Sequence, residues 1–189
     1  MRKILITIIF IFTIFSIYPD NPEEYIKMGK KYYDNGNYKE AINSYKKALI
    51  IDPNLWNVYS SIGICYIKEN NYDKAILYYT KSIELKPKSS ILYIFRGKAF
   101  FLKSDYKNAL NDYNKAIALN ASSPIGYIYR ASLYRELKKY NEAIKDYDKA
   151  IKLDPHSYDA YLGRSLCYSK LGNAEKSNED LKKANSLKK

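Results

Sequence analysis

The chain has 189 residues, 32 of them basic and 20 acidic, for a formal charge of +12. Counted in 34-residue units from residue 22, the excess is spread as +1, +2, +3, +2 and +3 with acids interleaved, so it lacks the basic stripe of a nucleic-acid reader and no specific nucleic-acid partner is expected. One histidine (His156, in a turn), two cysteines and seven isolated glycines form no metal-ligand cluster, phosphate loop or catalytic triad, so the reading is of a non-enzyme without cofactor or metal.

The first twenty residues stand apart. Arg2 and Lys3 precede Ile4 to Ile17, an uncharged apolar run, which is the form of a secretory signal. As a helix it reaches roughly 21 Å, short of a ~30 Å hydrocarbon layer. The expectation is therefore an exported protein (periplasmic, cell-envelope or secreted), cleaved after Ser16 or Tyr18. The alternative is an uncleaved anchor, which would be its one contact with a membrane. Residues 1–21 are assigned to this segment and a short linker.

From residue 22 to the end a 34-residue period governs the chain. Tyr25, Tyr59, Tyr93, Tyr127 and Tyr161 keep it. So do Ala41, Ala75, Ala109 and Ala143, and likewise Gly29, Gly63 and Gly97, with Ala131 in the fourth place. Such a period marks stacked supersecondary units. Repeat four shows their content. Pro124 suits a first helical turn. Tyr127, Ala131 and Tyr134 then form one helical stripe, and Tyr140, Ala143, Ile144, Tyr147, Ala150 and Ile151 form a second. Pro155 ends the unit, since the residue before it is pushed out of helical conformation. Asn37, Asn71, Asp105 and Asn173 are placed to cap second helices. The small residues allow close helix approach. Seventeen of the 22 tyrosines fall on the period and are read as packing. Cys65 and Cys167 are three periods apart, too far for a disulfide, and are read as buried core thiols.

Repeat two reads Tyr59-x2-Ile62-Gly63-x2-Tyr66, then Ala75-x3-Tyr79, then Pro87, and so resembles the tetratricopeptide repeat. The resemblance covers units 22–55, 56–89, 90–123, 124–157 and 158–189. It implies an all-α, right-handed α-solenoid of five stacked antiparallel helix pairs. The last helix, Ala174 to Leu187, is charged on one face and is read as the array's own cap.

Arg96, Arg130 and Arg164 replace an apolar residue in repeats three to five, and Asp112, Asp146 and Asp180 follow each by sixteen residues. Repeats one and two lack both members, so structural salt bridges within each later unit are expected.

In the family it resembles, the first helix of each unit lines a concave groove that holds peptides. Carried over, the lining comprises Ile26, Lys30 and Tyr33; Asn57, Ser60, Ile64 and Ile67; Ile91, Ile94, Lys98 and Phe101; Ile125, Ile128, Ser132 and Arg135; and Asp159, Leu162, Leu166 and Ser169. The Lys/Arg and Asn clamp for a C-terminal carboxylate, found in co-chaperone members, is missing at Ile26/Lys30, Ser60/Ile64 and Ile94/Lys98. The resulting reading is an exported scaffold that holds an apolar or amphipathic segment of a protein partner. Its alternatives are a self-associating array, or a polysaccharide- or anionic-polymer-binding module using Tyr33, Tyr78, Tyr129 and Tyr158.

Overall fold

Ten helices and no strand make up residues 21–188, the part of the chain that this computed structural model describes. The expectations of a signal or anchor fall on residues 1–20, outside it. The first helices of the five units are α1 (Pro22–Asp34), α3 (Trp56–Lys68), α5 (Ser90–Leu102), α7 (Pro124–Glu136) and α9 (Tyr158–Lys170). The second helices are α2 (Tyr38–Ile51), α4 (Tyr72–Leu85), α6 (Tyr106–Leu119), α8 (Tyr140–Leu153) and α10 (Ala174–Leu187). Among these described helices none is long and apolar enough to cross a membrane.

The turn inside each unit repeats one backbone device. Gly36, Asn70, Ser104, Lys138 and Gly172 all take positive φ, between 55° and 79°. This left-handed residue lets the next amide reach back into the ended helix, as in Asn71 N–H to the Tyr66 carbonyl at 2.8 Å. Only the first and last units use glycine, where φ is 79° and 77°. Asn71, Asp105 and Asn173 then accept from Lys74, Asn108 and Lys176 amides. Asn37 makes no such bond, which corrects that cap. The 34-residue period places the residue but does not orient its side chain.

Within a unit the two helices pack tightly, and each second helix then packs on the next unit's first helix. Ala41, Ala75, Ala109 and Ala143 are fully buried at these crossings. Cys65 and Cys167 are buried too, and burial pushes their thiols up to about 12 and about 11. First helices also touch each other across α5, α7 and α9. Second helices of neighbouring units make no substantial contact, so furrows floored by a first helix separate them. The molecule thus offers two faces, a groove along the first helices and a furrowed face along the second. On α10, Glu175, Lys176, Glu179, Lys182 and Lys183 are exposed, and only Asp180 and Ala184 are buried.

Candidate functional site

Between α7 and α9 the groove holds a cavity of about 430 Å3 that brings together Ile125, Ile128, Ser132, Arg135, Asp159 and Leu162. Tyr129, Tyr147 and Gly163 complete its wall. A smaller cavity of about 120 Å3 lies between α1 and α3, lined by Tyr33, Tyr45, Ser61 and Ile64.

One period position accounts for these openings. Ser61, Phe95, Tyr129 and Gly163 are equivalent residues in successive first helices. Phe95 packs at a tilt against Tyr79 and Tyr129 against Tyr113, with ring centroids 5.8 and 5.7 Å apart. Those aromatic plugs fill the groove between units two and three and between three and four. Ser61 and Gly163 cannot, and each borders a cavity.

The plugs also correct two expected lining residues. Ile94 is only 3% exposed, in a core cluster against which Tyr129 packs. Ser60 is 5% exposed, and Phe95 stands in the same period relation to it as Tyr129 does to Ile94. Neither can meet a ligand without rearrangement. Ile26 and Ile128, the equivalents below Ser61 and Gly163, remain half-buried. Ile64, Ile67, Ile91 and Phe101 are half-buried as well, while Lys30, Asn57, Lys98, Asp159, Leu166 and Ser169 are exposed.

The large cavity owes its shape to an exchange of small residues. Tyr45, Tyr79 and Tyr113 lie over Gly29, Gly63 and Gly97, where an added Cβ would come within 2.7 Å of the ring. Unit four has Ala131 instead. The Tyr147 ring lies against Gly163 of the next unit, and its hydroxyl is 3.2 Å from that of Ser132. Burial raises the Tyr147 pKa, with the Ser132 hydrogen bond and the Arg135 charge opposing it. Arg135 forms no ion pair among the described residues, so beside its apolar side chains this hollow carries a cation, an exposed carboxylate at Asp159 and a hydroxyl pair. Such a mixture of apolar and polar wall suits a peptide side chain and its backbone.

On the opposite face each predicted Arg–Asp pair is in contact. Arg96 donates through Nε and Nη2 to Asp112, both at 2.8 Å. Arg130 and Arg164 make the same fork to Asp146 and Asp180 at 2.7 Å. The hydrogen bond to aspartate raises each guanidinium's pKa, against the effect of burial. The third nitrogen reaches back to the preceding unit: Thr80 at 3.1 Å, Asn114 at 2.7 Å and Asp148 at 2.6 Å. Each arginine therefore clips two second helices together. The arm to Thr80, Asn114 and Asp148 went unread in the sequence, although those three residues also keep the 34-residue interval.

The remaining off-period tyrosines do not converge. Tyr129 is in the groove wall, Tyr33 beside the small cavity, Tyr78 on the furrowed face and Tyr158 at the start of α9. No cluster of metal-binding side chains occurs among the described residues.

Tetratricopeptide-repeat profiles match residues 56–89 and 124–157, a related repeat profile matches 29–68 and 97–137, and a third tetratricopeptide profile matches 158–189. No curated protein sequence matches the chain. Among solved structures it is similar to a crystal structure of MamA, at 28% identity and TM-score 0.73, covering 85% of this chain and 94% of that one. A MamA fragment from Desulfovibrio magneticus RS-1 superposes with TM-score 0.76 at 18% identity, covering 89% and 96%. YrrB, described as a TPR protein with an unusual peptide-binding site, gives 0.66 at 21% identity, covering 89% and 87%. The last two are likenesses of fold alone.

Proposed function

Because the chain belongs to the tetratricopeptide-repeat family, whose fold builds protein-interaction scaffolds, we propose that it holds an apolar or amphipathic peptide of another envelope protein in its first-helix groove. The observation that carries this is the cavity between α7 and α9. It combines Ile125, Ile128 and Leu162 with Arg135 and the Ser132–Tyr147 hydroxyl pair at a point where no aromatic plug fills the groove. The peptide's apolar side chain enters the hollow, and its polar backbone or a carboxylate meets Arg135. YrrB offers a precedent for peptide binding on this fold. The role needs no reacting group and is non-catalytic. Export rests on the basic and apolar pattern of residues 2–17.

A photo-crosslinker at the exposed position Ile125, used in cells, tests the reading. The expected adduct is to a peptide of a different envelope protein, and Ile128→Asp abolishes it while leaving helicity unchanged. An adduct to a second copy of the chain would establish self-association instead, and salt-sensitive retention on an anionic polysaccharide without any adduct would establish the polymer-binding role. N-terminal sequencing of the mature protein checks the compartment. A chain that starts beyond Ser16 or Tyr18 supports export and cleavage, and an intact, soluble chain opposes both.

A further inference from the structure

Four furrows separate neighbouring second helices, and three are spanned by an arginine that bonds to both walls. In the furrow between α2 and α4 the same three period positions hold Ile62, Tyr78 and Lys46. Ile62 is fully buried and spans nothing. What remains is an apolar cavity of about 410 Å3, with Leu49, Ile50, Leu77 and Tyr78 from the walls and Tyr59 from the helix below. We propose that this furrow is a second docking site, separate from the groove, and that its occupant is an amphipathic helix whose apolar stripe is flanked by carboxylates.

The apolar surface is not something the repeat needs. Ile50 is 81% exposed and Leu77 54% exposed. At the positions equivalent to Ile50 the later units carry Glu84, Ala118 and Lys152, and at those equivalent to Leu77 they carry Asn111, Lys145 and Glu179. The fold therefore accepts polar or small residues at both places, and two large apolar side chains in water indicate a contact surface. The charge around them fixes the partner's chemistry. Lys46 and Lys81 border the cavity, and an adjoining hollow of about 290 Å3 shares Lys46 and adds Lys39 and Lys74 against one acid, Glu69. An apolar strip bracketed by cations complements an apolar stripe bracketed by carboxylates. The surface is recessed, which suits side chains projecting from a helix better than the plane of a bilayer. The flanking helices have 14 residues each, so the furrow is about 21 Å long and accommodates roughly four helical turns.

The test uses the full chain and a fluorescent designed peptide of about 16 residues, with Leu at i, i+3, i+4 and i+7 spacing and Glu on both flanks. A twin peptide carries Lys in place of Glu. The Glu peptide binds saturably and the twin does not. The double variant Ile50→Glu with Leu77→Asn, which copies the residues of the next furrow, weakens binding by about tenfold or more with helicity unchanged. Reversing the rim with Lys46→Glu and Lys81→Glu shifts preference to the twin. Equal binding of both peptides, or undiminished binding by the Ile50/Leu77 variant, overturns the proposal. It is equally overturned if that variant abolishes only flotation with phosphatidylglycerol vesicles, or only dimer formation in sedimentation, without any peptide binding to lose.

Discussion

In the three later furrows a guanidinium from α5, α7 or α9 rises between two second helices, forks onto an aspartate on one wall and reaches a polar group on the other. Aromatic rings flank it, Tyr93 and Phe100 for Arg96, and Tyr161 and Tyr168 for Arg164, with centroids 5.6 to 6.0 Å away. In the first furrow Ile62 stays in the core and Tyr78 lies over Tyr66 and Tyr59, at 5.4 and 6.3 Å. One architecture thus admits a polar closure and an apolar one. A partly buried arginine is tolerable only with its carboxylate, so both members arrive in unit three together and neither occurs alone. The polar closure seals the furrow. The apolar one leaves exposed side chains.

The largest effect that separates the two kinds of furrow is expected from Asp146→Ala. Asp146 is 7% exposed and accepts both forks of Arg130, so its loss leaves a desolvated cation and costs about 3 kcal/mol. Urea unfolding measures it, and an unchanged midpoint would sink the claim that the pair closes the furrow. Replacing Arg130 and Asp146 together by Ile and Tyr, the residues of unit two, restores most of the loss. Recovery to within about 1 kcal/mol of wild type shows that the two closures are interchangeable.

A smaller effect should appear on raising the pH. Burial raises the pKa of Tyr78, which stands where the later furrows have Asp112, Asp146 and Asp180. Nearby, Tyr45 and Cys65 are each pushed up to about 12 by burial. A folded pKa above the unfolded value means that stability is intact below the unfolded pKa and is lost as pH rises toward the folded one. The melting temperature should therefore fall from about pH 9 upward. Hydrogen exchange should show α2 to α4 loosening no later than the arginine-clipped units. Since Tyr79, Tyr113 and Tyr147 are raised as well, the whole array weakens, and the order of loosening is what sharpens the comparison.

The helices and the Arg–Asp pairs were legible because each is written several times in one chain. Copies aligned on a 34-residue period act as their own controls. Depth in the groove was less legible. Ile94 and Ile128 occupy the same period position, yet only Ile94 is buried, because the residue 35 positions on is Tyr129 in one case and Gly163 in the other. A helical face can be read from one unit, but what covers it belongs to the next. The series Ser61, Phe95, Tyr129, Gly163 was the signal that could have revealed the open cavity. The first furrow stayed hidden for a related reason: Ile50 and Leu77 look like core residues until the equivalent Glu84 and Asn111 show that the position faces water.

The smallest effect comes from the exposed residues themselves. If Ile50 supported the fold, Ile50→Glu would cost what burying an isoleucine is worth, about 1.5 to 3 kcal/mol. With four-fifths of its surface already in water, the expected change is within about 0.5 kcal/mol, and Glu84 shows that a carboxylate is compatible with the position. Thermal unfolding of the variant decides between these values. A near-zero change leaves a contact with something outside the array as the physical use for Ile50. A loss above about 1 kcal/mol would mean that the first furrow is closed by its own side chains, as the later three are, and the contrast between them would disappear.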